Sequence, residues 1–386
     1  MARQWFISTL INRCSVKLSS LFYLLILLLV IAAAFFIKFG LNVQKSTAHP
    51  VFIFSSSRRP TTTTITTFPS PQLTNKDCKR LDFEGLRLAN STNPIPPIYD
   101  FFIFNDELDL LEIRLYELYN YVTLFLIVES EITLSGKPKR LYLKENWQKF
   151  ARYHEKMRRF EVELDQFPES QWSNEITLRE DGLRIALQNR SGDTILLTSD
   201  VDEIPTAHFL NALTSCELSN PFQPLVLICA YYYYSFEFRR GTTEGATVTF
   251  LTLDPAEQAQ TISGKTLRDN RFSFQRMPSS CYHCSWCFDR INLTRSKLGS
   301  FSHTELNRPE YQKQDHILAR YREGKDLFNR ASEVYVRLDE NDEIPELVKA
   351  QRDRFAYLWN RTALVNVGFR DVIVESINVS MKNGTR

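Results

Sequence analysis

The chain has 386 residues, 43% of them apolar and 13% aromatic, with 47 Lys or Arg against 45 Asp or Glu. Residues 1–75 hold basic side chains but no acid, the first carboxylate being Asp77, so the remainder is net acidic. That length supports a large core, the acidic folded part excludes nucleic acid as the main partner, and the composition excludes collagen, wholesale disorder and a small disulfide scaffold.

Residues 18–37 are an uncharged run rich in Leu, Ile, Phe and Ala, long enough at the helical rise to cross a bilayer. Arg3, Arg13 and Lys17 precede it without an acid, which predicts a cytosolic tail at 1–17 and a single-pass type II anchor. A cleaved signal peptide ranks lower, because the apolar run is too long and continues through Phe35, Phe36 and Ile37. Residues 38–76 are rich in Ser, Thr and Pro and read as a stem that buries no core. A lumenal catalytic domain at 77–365 and a polar tail at 366–386 follow. Asn90, Asn189, Asn292, Asn360, Asn378 and Asn383 begin N-x-S/T sequons, all on the predicted lumenal side. In that oxidising compartment Cys78, Cys216, Cys229, Cys281, Cys284 and Cys287 are expected to form three disulfides, with the connectivity open. Zinc held by the cluster around His283 ranks below disulfides.

Residues 101–104 form a buried strand that ends at Asn105-Asp106. Leu108, Leu111, Leu115, Leu118 and Val122 then recur at helical spacing, and 124–128 is a second buried strand. Strand, helix and strand make a βαβ unit with a parallel sheet. Helix over 145–159, strand over 160–164, helix over 175–188 and strand over 193–199 continue the pattern. Asp200-Val201-Asp202-Glu203-Ile204-Pro205 stops that strand, crowding carboxylates at its carboxyl end, where open α/β sheets place ligands. Strands are predicted over 225–234 and 246–251, with a mobile turn bracketed by Gly241 and Gly245. Helices end the chain at 305–322, after a loop, and at 343–359. Two of the four rings Tyr231 to Tyr234 should face the core by strand alternation.

Clustered carboxylates stay ionised beside a cation or in water. Asp200 and Asp202 flank a tight turn and are placed to share a divalent ion of the kind that bridges substrate phosphates. A turn cap and a solvated acid are the bland alternatives.

The segment from Thr198 to Pro205 resembles the D-x-D-E-I-P segment of glycosyltransferase family 17, the family of bisecting N-acetylglucosaminyltransferases. Three more segments are similar to that family in the same order: residues 102–115, residues 283–288 and residues 301–305. The resemblance implies an α/β, GT-A-like, mostly parallel sheet flanked by helices, UDP-N-acetylglucosamine as donor, a mannose of an N-linked glycan as acceptor, and a Golgi membrane location. It implies a divalent metal, Mn²⁺ ahead of Mg²⁺, held by Asp200, Asp202 and His303. Glu129, Arg179, Asp181 and Asp200 become donor contacts. A β-linkage from an α-linked donor requires inversion and therefore a carboxylate base, for which Glu305 is the first candidate and Asp289 the second. Trp286 and the Tyr231 to Tyr234 run are candidate stacking rings for acceptor sugars. A membrane-tethered glycan-binding protein or inactive transferase, and a metal-dependent sugar-nucleotide hydrolase, are the alternatives. The stretch 239–279 aligns with nothing in the family pattern.

Overall fold

In the computed structural model, residues 72–80, 83, 85–86, 95–217, 223–255 and 263–372 are described. The predicted tail, the anchor, the stem as far as residue 71, residues 373–386 and the sequons at Asn90, Asn378 and Asn383 lie outside them. Among the described residues no helix is long and apolar enough to cross a membrane.

The first βαβ unit forms as its pattern dictates: β1 (Ile98–Ile103), α1 (Leu108–Leu118) and β2 (Leu124–Glu129). β3 (Met157–Glu161), α2 (Ser173–Leu187) and β4 (Gly192–Asp200) follow. β1 pairs in parallel with β2 and β4, and β2 with β3. Alternation along these strands separates two cores. Phe102, Phe125, Ile127, Ile195 and Leu197 pack with Leu111, Leu115 and Leu118 of α1, whereas Phe101, Leu126 and Leu196 pack with Leu178, Leu183 and Leu187 of α2. Both faces are covered, which is why the runs 101–103, 124–128 and 195–197 of the three inner strands β1, β2 and β4 are apolar throughout.

The chain continues through β5 (Glu203–Pro205), α3 (Ala207–Ser215), β6 (Leu225–Tyr233), β7 (Ser235–Leu253), α4 (Gly264–Asp269), β8 (Gln275–Ser285), α5 (Ile291–Ser300), α6 (Gln314–Glu323) and β9 (Val336–Arg337). The nine-stranded sheet runs β3-β2-β1-β4-β7-β6-β8-β5, with β9 paired to β7. It is mixed where a mostly parallel sheet was expected, because β7 runs antiparallel to β4 and β6, and β5 antiparallel to β8. Pro205 sits in the edge strand β5, where its missing N–H costs no central ladder bond.

Residues 157–159, expected in a helix, belong to β3, and the helical part shrinks to Tyr142–Glu145 and a 3-10 segment, Trp147–Tyr153. Pairing with β2 overrides the local helical pattern there. The turn expected around Gly241 and Gly245 is continuous strand inside β7. Gly241 takes φ +62°, a bulge conformation, and a Cβ on Gly245 would come within 2.2 Å of Cys229 Sγ. The final helix expected over 343–359 breaks into Glu346–Ala350 and Ala356–Trp359, the first entered through Pro345. Three disulfides form, Cys78–Cys216, Cys229–Cys281 and Cys284–Cys287, so the cysteines are paired and not free for zinc.

Candidate functional site

A cleft of about 990 Å³ opens where the carboxyl ends of β1 and β4 meet residues from β6, β8 and α5. Register sets its floor: Asp200 lies beside Ile103 of β1, and His283 of β8 lies between Glu203 of β5 and Tyr231 of β6.

The loop at the end of β4 is held by cations. Arg114, buried on α1, makes two bonds to Asp100 at 2.6 and 2.8 Å. It also donates to Ser199 Oγ at 2.7 Å and to the carbonyls of Asp200 and Glu203 at 3.1 and 2.8 Å. The Asp200 carboxylate accepts from Arg179 at 2.7 Å and from Arg268 at 2.8 Å. Burial by itself would raise its pKa, but the two guanidinium groups hold it well below the usual carboxylate range. Arg268 also bonds Glu203 at 2.7 Å. Asp202 pairs with Lys297 at 3.1 Å, and Lys297 reaches Glu107 at 3.6 Å. Burial opposes that ammonium, yet Asp202 and Glu107 raise its pKa above the ordinary lysine value.

The residues expected to act together are only partly brought together. Asp200, Asp202, Arg179, His303 and Glu305 all line the cleft. His303 bonds Glu305 at 2.9 Å, and that bond holds the glutamate below its ordinary pKa. The metal set of Asp200, Asp202 and His303 is not assembled. Both Asp200 oxygens are taken by arginines, and among the described residues no group of three or more His, Cys, Asp or Glu converges on a cation site. Glu129, Asp181 and Asp289 do not line the cleft. Glu129 is buried and accepts from the Leu143 and Lys144 amides and from Arg159, capping a short helix, and burial raises its pKa. Asp181 pairs with Arg184 on α2. Asp289 pairs with Arg370, and its pKa is raised by burial.

Of the tyrosine run, Tyr232, Tyr233 and Tyr234 are all buried, one ring more than alternation predicts, because both faces of β6 are covered: Tyr232 packs in one core and Tyr233 in another, which Tyr234 joins as it leaves the strand at φ +69°. Trp286 is buried among Phe288, Phe301 and Phe328, which leaves it little face for a sugar.

Sequence reasoning missed Arg114, Arg268, Lys297, His283 as a cleft residue, and Trp172. His283 lay inside a quoted motif, and its Nε2 is 3.8 Å from Asp202 Oδ2. Arg268 lies in the unaligned stretch, and a lone lysine on a helix such as Lys297 carries no local signal.

The model of glycosyltransferase family 17 matches residues 17–356. Proteins named β-1,4-mannosyl-glycoprotein 4-β-N-acetylglucosaminyltransferase from Rattus norvegicus, Homo sapiens and Mus musculus are each 26% identical over 217 residues. Each alignment covers 48% of this chain and 39% of the relative, so the chain matches well under half the length of these curated relatives.

Proposed function

The chain belongs to glycosyltransferase family 17, and from that premise we propose that it transfers N-acetylglucosamine from UDP-N-acetylglucosamine to a mannose of an N-linked glycan, with inversion, in a GT-A-like site. The observation that carries this reading is the Asp200–Glu203 loop at the carboxyl end of β4, facing a cleft whose walls hold Lys265, Arg268, Arg271 and Lys297. Fixed cations beside a strand end suit a nucleoside diphosphate. Glu305 serves as the base: it lines the cleft, is half exposed, and is kept ionised by its bond from His303. It takes the proton of the acceptor hydroxyl as the anomeric carbon is attacked from the face opposite the diphosphate. Arg268, already fixed by Asp200 and Glu203, faces the departing diphosphate without reorganising.

Asp202 and His283 fit a divalent cation, offering on the cleft wall one carboxylate and one imidazole whose Nε2 stands 3.8 Å from Asp202 Oδ2, where the ion would take the place of the Lys297 ammonium on that oxygen. Mixed oxygen and nitrogen donors favour Mn²⁺ over Mg²⁺. Bound there, the ion would neutralise charge on the leaving diphosphate. Residency in the Golgi membrane through an anchor at 18–37 belongs to the same proposal. Exposed sequons at Asn189 and Asn292 accord with a lumenal surface.

The test is mass-spectrometric. The full chain in detergent, given Mn²⁺, UDP-N-acetylglucosamine and a biantennary N-glycan, should add one N-acetylhexosamine. Asp202→Ala and a chelated control should not. Intact donor and unchanged glycan with the unsubstituted chain would refute the reading.

A further inference from the structure

A tryptophan normally spends its large ring on burial or on a ligand. Trp172 lines the cleft and keeps 39% of its surface exposed, whereas Tyr233, Trp286 and Phe328, which share the cleft, are buried. Its backbone is fixed at the start of α2. The amide donates to Ser170 Oγ at 3.3 Å, the carbonyl accepts from Ile176 at 3.0 Å, and the Ser170 and Ser173 hydroxyls share a bond of 2.9 Å. The ring is fixed as well, meeting the His303 ring at 87° with centroids 4.9 Å apart. Bonds from Thr304 to Gln171 at 3.4 Å and from Ser302 to Glu175 at 2.6 Å tie the two segments together. A rigid, exposed aromatic surface therefore stands next to the His303–Glu305 pair.

We infer that Trp172 is the platform on which a hexopyranose ring of the acceptor stacks, an inference that rests on the transferase reading above. A pyranose presents a face of C–H groups that packs on the electron-rich indole face and leaves its hydroxyls free for polar groups at the edge. Position selects the acceptor over the donor. An acceptor attached to a glycoprotein must enter at a rim open to solvent, whereas a nucleoside diphosphate is small enough to be enclosed. Trp172 and Glu305 are both on the open side, which sets the stacked sugar beside the base.

Initial rates are measured with the full chain in detergent, varying N-glycan and UDP-N-acetylglucosamine separately. Trp172→Ala should raise the acceptor KM roughly tenfold while leaving the donor KM and the thermal midpoint unchanged, and Trp172→Phe should restore most of the loss. An unchanged acceptor KM, or a raised donor KM in its place, overturns the platform and leaves the transferase reading intact. Absence of transfer by the unsubstituted chain would instead refute that reading. Calorimetric titration of a mannose-terminated oligosaccharide with UDP present then decides the platform alone: binding weakened by Trp172→Ala upholds it, and equal or absent binding overturns it.

Discussion

Replacing Arg114 by Met should unfold the chain more readily than any surface change, because the guanidinium and its partner Asp100 are both fully buried. The substitution leaves the Asp100 carboxylate without its cation and strips donors from Ser199 Oγ and the carbonyls of Asp200 and Glu203. Breaking a buried pair by removing one partner costs about 3–5 kcal/mol. Most of that cost is the orphaned charge, so Arg114→Met combined with Asp100→Asn should cost only about 1–2 kcal/mol, the scale of the lost hydrogen bonds. Arg114→Lys should fall between, since an ammonium reproduces the charge but not the forked geometry. Urea unfolding followed by fluorescence with the disulfides intact measures all three. The double variant being as unstable as Arg114→Met, or Arg114→Met costing less than about 1 kcal/mol, would refute an orphaned charge as the cause. Because Arg114 also anchors the Asp200–Glu203 backbone, the variants that fold should show a raised donor KM.

Two further perturbations test the core. Glu117 is buried, and burial pushes its pKa up to about 7, while its carboxylate accepts from the Leu347 amide at 3.1 Å. The folded state thus holds this proton more tightly than the unfolded chain, and stability should fall as pH rises from the ordinary glutamate range to about 7. Glu117→Gln keeps the acceptor and should flatten that limb in denaturation curves taken across the range; an unaltered slope would exclude Glu117 as its source. Gly245→Ala would set a Cβ 2.2 Å from Cys229 Sγ and 3.2 Å from Cys281 Sγ, across a disulfide that cannot move aside freely. A loss of about 1–3 kcal/mol is expected, and an unchanged thermal midpoint would show that β7 shifts without cost.

The β1–α1–β2 unit is legible in the sequence because each element carries a local period: an apolar strand, a three-and-four helix stripe, a second apolar strand. β7 is not, since its glycines read as a turn, whereas pairing of Thr242, Thr243 and Glu244 with β6 carries the strand through them and the disulfide close to Gly245 leaves no room there for a side chain. The site divides the same way. Carboxylates crowded at the end of β4 repel one another, so their sequence alone implies that positive charge must reach them. What it does not say is where that charge comes from. The structure brings it from Arg179 on α2, Arg268 on α4 and Lys297 on α5, partners 21, 68 and 95 residues distant from the carboxylates they meet. A pairing at such separations leaves no period to read, which is why sequence reasoning assigned the whole compensating charge to a metal. With Asp200 neutralised by two arginines and Glu203 by one of them, the acids no longer form one anionic cluster. The remaining acid is Asp202, whose lysine partner also reaches Glu107 at 3.6 Å and divides its charge between two acids. Under the proposed function Asp200 therefore holds the loop's shape and Asp202 faces the donor, a division that Asp200→Asn and Asp202→Asn should separate as a loss of stability in the first and a loss of donor affinity in the second.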